Sequence, residues 1–296
     1  MKDFINMNYN LKPLLQGWNL SDIRLFDHIM MPNNFVVKAY SHDYNYDVVI
    51  KVGLKHVIDF EIIALNFFQS DNCVKLLKYD QNIVADATVL MLEYVQPGTS
   101  LKDLYLQGQE QQALDVFIRM IQRIYRSPLS DQEFQKYEHL QTVVQKLSYL
   151  DTFQSKYDGL KRLLPRAIAI KNQLVARQRE LYFLHGDLHH ENILQKNTDY
   201  VMIDPQGIIG ELCYEMSAFL YNPVITLLEH DDLVSLMKHR FDRLEQEFAF
   251  NRQRIIEWVF VRSVLAACYY QEDNQDKDNV QNFFVVFAEL IACNFL

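Results

Sequence analysis

The sequence lacks any cysteine pairing pattern: Cys73, Cys213, Cys268 and Cys293 stand far apart and form no C-x-x-C pair. That argues against a disulfide framework or a zinc ribbon and suits a reducing compartment. Positive charge is not in excess either, with 29 basic against 38 acidic side chains and a formal net charge of -9. Nucleic-acid binding relies on Lys and Arg neutralising phosphates, so nucleic acid is not an expected partner. The acidic balance permits a cationic ligand without demonstrating one. Residues 1–10 show no basic stretch leading into an apolar run, so no secretory signal is read there. Long hydrophobic runs are also missing. Val259 to Tyr270 is short and broken by Arg262, too short to cross a bilayer. These absences predict a cytoplasmic chain with no membrane partner, and they leave oligomeric state unread.

With 296 residues, 49% of them hydrophobic, the chain can bury one large core or two modest lobes. It has no internal repeat and no long Pro/Gly/Ser linker, but its character changes near Pro97-Gly98. Before that point Phe35–Tyr40 and Asp47–Val52 are rich in β-branched residues and flank a polar turn around Ser41 to Asn45, which predicts a hairpin. A helix is expected over Val57–Gln69, with strands over Val74–Tyr79 and Thr88–Val95. After Pro97 the pattern turns helical. Gln111–Tyr125 repeats apolar residues on one face, and 131–153, 157–180, 224–249, 252–271 and 279–295 carry similar periodicity. Short β-like pieces interrupt these helices at Leu181–Leu184, Asn192–Gln195 and Tyr200–Ile203. The expected fold is α+β, with a small β-rich N-lobe over 1–96 and a larger helical C-lobe over 97–296.

The polar residues of interest lie at the ends of those short pieces. His185-Gly-Asp-Leu-His-His-Glu-Asn-Ile-Leu194 is followed by Met202-Ile-Asp-Pro-Gln-Gly207. Phosphoryl transfer asks for one carboxylate to orient the attacking hydroxyl and accept its proton, and for oxygen ligands to magnesium on the nucleotide. An Asp leading a tight loop with an Asn five positions later can aim both side chains into one small space. Asp204 follows a β-like segment, and a ribbon folding back would return it near Asn192. Asp187 is then the base, with Asn192 and Asp204 as metal ligands. Two other readings stand beside this one. Asp, Asn and His are common loop stabilisers, and His185, Asp187, His189 and His190 are potential zinc ligands. In the N-terminal part, Val48-Val-Ile-Lys-Val52 places Lys51 in an apolar strand, where burial without a charged partner is costly. Glu61 on the following helix and the phosphates of a nucleotide are candidate partners, with Asp59 an alternative to Glu61. An edge lysine facing solvent is the plain alternative.

The 185–207 block resembles the aminoglycoside phosphotransferase and choline kinase superfamily, relatives of the protein kinases. Its His-Gly-Asp-Leu-His-His-x-Asn-Ile-Leu form is similar to the streptomycin and hydroxyurea phosphotransferase group. Ile203-Asp-Pro-Gln-Gly-Ile-Ile-Gly210, Tyr214-Glu215 and Tyr221-Asn-Pro223 continue that likeness, which is tight over about 185–223 and loose elsewhere. The resemblance implies a bilobal protein-kinase-like fold and a kinase using Mg2+ with ATP or GTP. It implies a small hydroxylated acceptor such as an aminoglycoside, Asp187 as catalytic base, and Asn192 and Asp204 as magnesium ligands. His185 and His189 become loop scaffolding. Lys51 and Glu61 serve the nucleotide phosphates, and the backbone of Glu93 to Val95, in Met91–Gly98, meets the adenine edge.

Two departures from the family pattern are visible. Met30-Met-Pro-Asn-Asn-Phe35 stands where the family usually carries glycines facing phosphate, and Glu215 stands where Asp often follows Tyr. They leave a nucleotide-binding module without catalysis as an alternative. A protein kinase is disfavoured because 204–215 is too short for an activation loop. Glu229, Asp231, Asp232, Glu272, Asp273 and Asp276 are candidates to meet a cationic acceptor, against the plainer reading of solvated surface. Trp258, Phe260, Tyr269 and Tyr270 read as core.

Overall fold

The structure is a computed structural model that describes residues 16–26, 34–69, 72–84, 87–137, 139–178, 180–272 and 278–296. Its contacts divide the chain into two compact units. The first is drawn from the chain up to Gly98 together with Gln195–Gln206, and the second from Thr99–Leu194 and Gly207–Leu296.

In the first unit, alternation of apolar and polar residues builds a five-stranded antiparallel sheet. Its strands are β1 (Leu20–Leu25), β2 (Asn34–Ser41), β3 (Tyr46–Leu54), β4 (Leu76–Val84) and β5 (Ala87–Glu93), in the order β1-β2-β3-β5-β4. The β2–β3 hairpin pairs Ser41 with Tyr46 and Val37 with Ile50, and its turn includes Asn45 at φ 59°, a left-handed conformation that Asn tolerates. One face buries Trp18, Val37, Ala39, Val48, Ile50, Val52, Val89 and Met91. Each large aliphatic side chain withdrawn from water in this way contributes about 1.5–3 kcal/mol. The helix after β3, α1, runs over Lys55–Phe68 and buries Ile58, Glu61, Ile62, Leu65 and Phe68. It starts two residues before the expected Val57, and Val57 itself is exposed rather than part of the apolar face.

The later segment 195–206 joins this unit through the backbone. Val74 N–H donates to Met202 O at 3.0 Å, Met202 N–H to Asn72 O at 2.7 Å, and Asn197 N–H to Gln96 O at 3.0 Å. Lys196 forms an ion pair with Glu93. These bonds fix the end of the strand Asp199–Met202, and so the start of the segment that carries Asp204.

The second unit is helical. Glu110–Ile124 buries Ala113, Leu114, Phe117, Ile118 and Ile121 on one stripe, and every residue of Leu212–Leu220 is buried. The long helices Asp158–Ala176, Leu233–Phe248, Arg252–Glu272 and Asp278–Asn294 complete it. A short antiparallel pair, Tyr182–Leu184 with Ile208–Gly210, leads into the His185 loop. Gly210 is required there by close approach: a Cβ at this position would lie 2.3 Å from Val143 Cγ2 and 3.0 Å from Leu184 Cδ1. Trp258 and Phe260 are core residues, whereas Tyr269 is 39% exposed and stacks on Tyr149 with ring centroids 4.8 Å apart. Among the described residues no helix is long and apolar enough to cross a membrane.

Candidate functional site

In the first unit, the pleat of β3 turns Lys51 inward, and its side chain is 5% exposed. Its ammonium donates to Glu61 Oε2 at 2.7 Å and also pairs with Asp204. The edge-lysine alternative is therefore wrong, because β3 is flanked on both sides by β2 and β5. Asp59 is engaged elsewhere, accepting from Gln81 Nε2 at 2.9 Å and Thr88 Oγ1 at 3.0 Å. One ammonium thus serves two carboxylates. Burial alone would lower the Lys51 ammonium, but Glu61 and Asp204 together hold it above the ordinary lysine value. Burial pushes the Glu61 carboxyl up to about 7, opposed by Lys51 and reinforced by the charge of Asp204. Asp204 adopts φ 59°, an uncommon left-handed conformation for a residue with a Cβ and one that Asp accepts more readily than most. Strain of this kind clusters where a side chain must be aimed.

The Met91–Gly98 segment leaves β5 within the same unit. Glu93 N–H donates to Lys75 O at 3.0 Å, so that amide is committed to the sheet and does not face outward. Val95 is buried, and among the described residues neither its N–H nor its C=O finds a hydrogen-bond partner. A buried backbone amide without a partner is rare, which makes Val95 the better of the two candidates for meeting the edge of a planar ligand. Of the expected phosphate-facing turn, Met30 to Asn33 lie outside the described residues, as do Asp273 and Asp276 among the acidic candidates.

In the second unit, the loop after Tyr182–Leu184 is clamped from several elements. Gly186 sits at φ 88°, a conformation open to glycine and strained for other residues. Glu215, fully buried on the Leu212–Leu220 helix, accepts from Gly186 N–H at 2.9 Å and Leu188 N–H at 3.2 Å. The Tyr125 hydroxyl donates to Glu215 Oε2 at 2.9 Å and accepts from His185 N–H at 2.9 Å. Asp187 N–H donates to His185 Nδ1 at 3.3 Å. Every amide from His185 to Leu188 is therefore held, and the backbone that presents Asp187 has little freedom.

The Asp187 carboxylate is treated differently from its backbone. His189 Nε2 stands 3.8 Å from Oδ2 and Arg262 Nη2 stands 3.7 Å from Oδ1, both beyond hydrogen-bond range. Among the described residues no donor hydrogen-bonds either oxygen, and the side chain is one-third exposed. Burial would raise this carboxyl, but His189, Arg262, Lys146 and His185 outweigh it and hold it below the ordinary range. The result is an ionised carboxylate with free lone pairs, able to accept a hydrogen bond from a hydroxyl. Asn192, on the short 3-10 turn His190–Asn192, donates from Nδ2 to Asp187 O at 2.9 Å, which commits its nitrogen and leaves Oδ1 as an acceptor.

The donor chemistry can be tested against a magnesium ion. Asn192 offers an amide oxygen, and Asp204 keeps one carboxylate oxygen beyond the one that Lys51 contacts. Each is the kind of oxygen donor that suits Mg2+, which retains waters and takes its remaining ligands from phosphates. The zinc alternative fails: among the described residues no group of three or more His, Cys, Asp or Glu could hold a metal. His190 is buried and stacks on Phe219 at 4.0 Å, and burial keeps its ring well below the ordinary histidine value and therefore neutral. Asp232, one of the acidic candidates for an acceptor, instead caps a helix by accepting from Ser235 N–H at 3.0 Å. Sequence reasoning missed Tyr125 and read Arg262 only as a break in an apolar run. The signal in hand was a lone arginine among Phe260, Val261, Val264 and Leu265, as anomalous as Lys51 among valines.

Comparison with known proteins identifies relatives of this chain. The streptomycin 3''-kinase of Klebsiella pneumoniae is 31% identical over 115 residues, covering 37% of this chain and 42% of that protein. The streptomycin 6-kinase of Streptomyces glaucescens is 28% identical over 91 residues, 30% of each chain. The matched stretches thus span less than half the length of these curated relatives. Among solved structures, a thermostable mutant of aminoglycoside phosphotransferase APH(4)-Ia, in ternary complex with AMP-PNP and hygromycin B, aligns with a TM-score of 0.69. Identity is 13%, and 96% of this chain and 98% of that one are covered. The choline kinase LicA from Streptococcus pneumoniae aligns with a TM-score of 0.67 at 12% identity over 100% and 99% of the two chains. At such identities the likeness is one of fold, and that fold is the kinase-like one. The profile of the aminoglycoside/hydroxyurea antibiotic resistance kinases matches residues 55–274, and the chain belongs to that family.

Proposed function

We propose that the protein is a small-molecule kinase that moves the γ-phosphate of a magnesium-bound nucleotide, ATP or GTP, to a hydroxyl of a streptomycin-type aminocyclitol. The observation that carries this reading is the Asp187 carboxylate, ionised, fixed through its backbone and free of hydrogen-bond donors. A base in phosphoryl transfer has little covalent work to do. It orients the acceptor hydroxyl in line with the phosphorus and takes the proton as the new bond forms.

The remaining roles follow from the chemistry of each residue. Asn192 Oδ1 and the free oxygen of Asp204 would hold the divalent cation, which when bound neutralises charge on the nucleotide phosphates. Lys51, kept charged by Glu61 and Asp204, would pair with the α- and β-phosphates, and Glu61 would orient it. The unpartnered backbone of Val95 would meet the adenine edge, with Glu93 contributing its carbonyl rather than its committed amide. An amicoumacin kinase of similar fold was solved with AMP-PNP and Ca2+, which supports a nucleotide co-substrate and a divalent cation cofactor. The streptomycin kinases among the relatives support the acceptor class.

The test is direct. Incubation with Mg-ATP or Mg-GTP and streptomycin should yield a phosphorylated product by mass spectrometry with stoichiometric release of the diphosphate. Asp187→Asn should reduce turnover by at least ~10²-fold, within the range expected for a general base, at an unchanged thermal midpoint. Full turnover in Asp187→Asn would refute the assigned base, and no product with streptomycin but product with another alcohol would move the acceptor class.

A further inference from the structure

Arg262 is a costly side chain to have buried in the second unit, and nothing in the reaction just described requires it. It is 5% exposed and rises from the middle of the Arg252–Glu272 helix. Burying a guanidinium is unfavourable unless its donors and its charge are met. Here Nη1 donates to Tyr214 O at 3.0 Å, and Nη2 donates to Gly186 O at 3.1 Å. The guanidinium also lies over the Tyr214 ring, 4.2 Å from its centroid. Two nitrogens of one rigid plane thus join two elements, the start of the catalytic loop and the Leu212–Leu220 helix that carries Glu215.

The geometry points to Arg262 as the positioning residue for Asp187, fixing the carboxylate by grasping the carbonyl just before it while facing its Oδ1 from 3.7 Å. Arg262 holds the C=O of Gly186 and His185 Nδ1 accepts from the N–H of Asp187, so the peptide group preceding Asp187 is restrained at both ends. The 3.7 Å spacing matters. A direct hydrogen bond would occupy a lone pair that the acceptor hydroxyl needs, whereas a charge at this distance stabilises the ionised form and leaves the oxygen open. A lysine cannot reproduce this, since a point ammonium does not present two coplanar nitrogens to two carbonyls. Arg262 touches no reacting atom, and its effect passes through Asp187. The inference rests on the reading of Asp187 as base.

Two variants test it, Arg262→Lys and Arg262→Gln, each alone and with Asp187→Asn. Crystal structures of the single variants should show the Asp187 carboxylate displaced or split between two conformers, with the Glu215 bonds to Gly186 and Leu188 retained. In phosphotransfer from Mg-ATP to streptomycin, kcat should fall at least ~10-fold, because small misplacement of a reacting group is expensive. KM for the nucleotide should stay within ~2-fold, and Arg262→Lys should cause no further loss in the Asp187→Asn background, as expected for residues acting in series. A carboxylate unmoved in both structures would overturn the inference. So would a lowered thermal midpoint with unchanged kcat, or losses that add in the double variant. If the wild-type protein transfers no phosphate, the functional reading fails by itself, and the crystallographic comparison still decides whether Arg262 positions the carboxylate.

Discussion

Lys51 Nζ lies 2.7 Å from Glu61 Oε2, with both side chains about 5% exposed or less, and the same ammonium also pairs with Asp204. Removing one member of a buried pair leaves an uncompensated group and is more harmful than removing both. Lys51→Met should therefore destabilise the protein by about 1–3 kcal/mol, and adding Glu61→Gln should recover part of that loss. Urea unfolding of wild type, single and double variants measures it. Additive losses in the double variant would show that the two side chains do not act as a pair.

The same pair makes a pH prediction. The folded Glu61 carboxyl titrates at about 7, above its ordinary 4.5, so folding favours the protonated form. Its contribution to stability is complete below the unfolded value and is lost as pH rises through about 7. Relative to Glu61→Gln, the wild-type thermal midpoint should decline between pH 5 and pH 8. Parallel profiles for the two proteins would contradict the assigned burial of this carboxyl.

Glu215, fully buried, accepts from two buried loop amides and from the half-buried Tyr125 hydroxyl. Glu215→Gln would replace one acceptor oxygen by a donor facing other donors, and should cost about 1–3 kcal/mol. Tyr125→Phe should cost less, about 0.5–1.5 kcal/mol, since only one hydroxyl is lost. Hydrogen exchange of the Gly186 and Leu188 amides should accelerate in Glu215→Gln more than in Tyr125→Phe. The reverse order would remove Glu215 from the centre of the clamp.

Thiol chemistry checks the two cores independently of function. Burial pushes Cys73 and Cys213 up to about 12, Cys268 is buried, and Cys293 is exposed. Because the thiolate is the reactive form, a disulfide reagent at pH 8 should titrate one thiol quickly in the native protein and the other three only after unfolding. Rapid reaction of more than one would show that a core opens readily.

Much of this was legible in the chain. Lys51 stands out in the sequence because a charge in a β-branched strand needs a partner, and Glu61 is only ten residues away. The hairpin around Ser41 to Asn45 and the helix after it followed from local pattern. The roles of Tyr125 and Arg262 were not legible. Tyr125 reaches His185 across 60 positions and Arg262 reaches Gly186 across 76, and pairing at that range leaves no periodicity to read. For the same reason chain order put 195–206 among the helices of the second lobe, whereas its hydrogen bonds to Asn72, Val74 and Gln96 tie it to the first unit. Glu215 lies between these cases. Its place after Tyr214 marks a departure from the family's usual Asp, but its targets emerge only from the packing of a wholly buried helix.

The proposal on which the functional reading depends is that Asn192 and Asp204, from separate segments, serve one metal ion. A crystal structure with Mg2+ and a non-hydrolysable ATP analogue tests it most directly. The account predicts a cation with Asn192 Oδ1 and an Asp204 oxygen both at roughly 2.1 Å, completed by phosphate oxygens and water. A nucleotide-bound cation touched by neither side chain would contradict it.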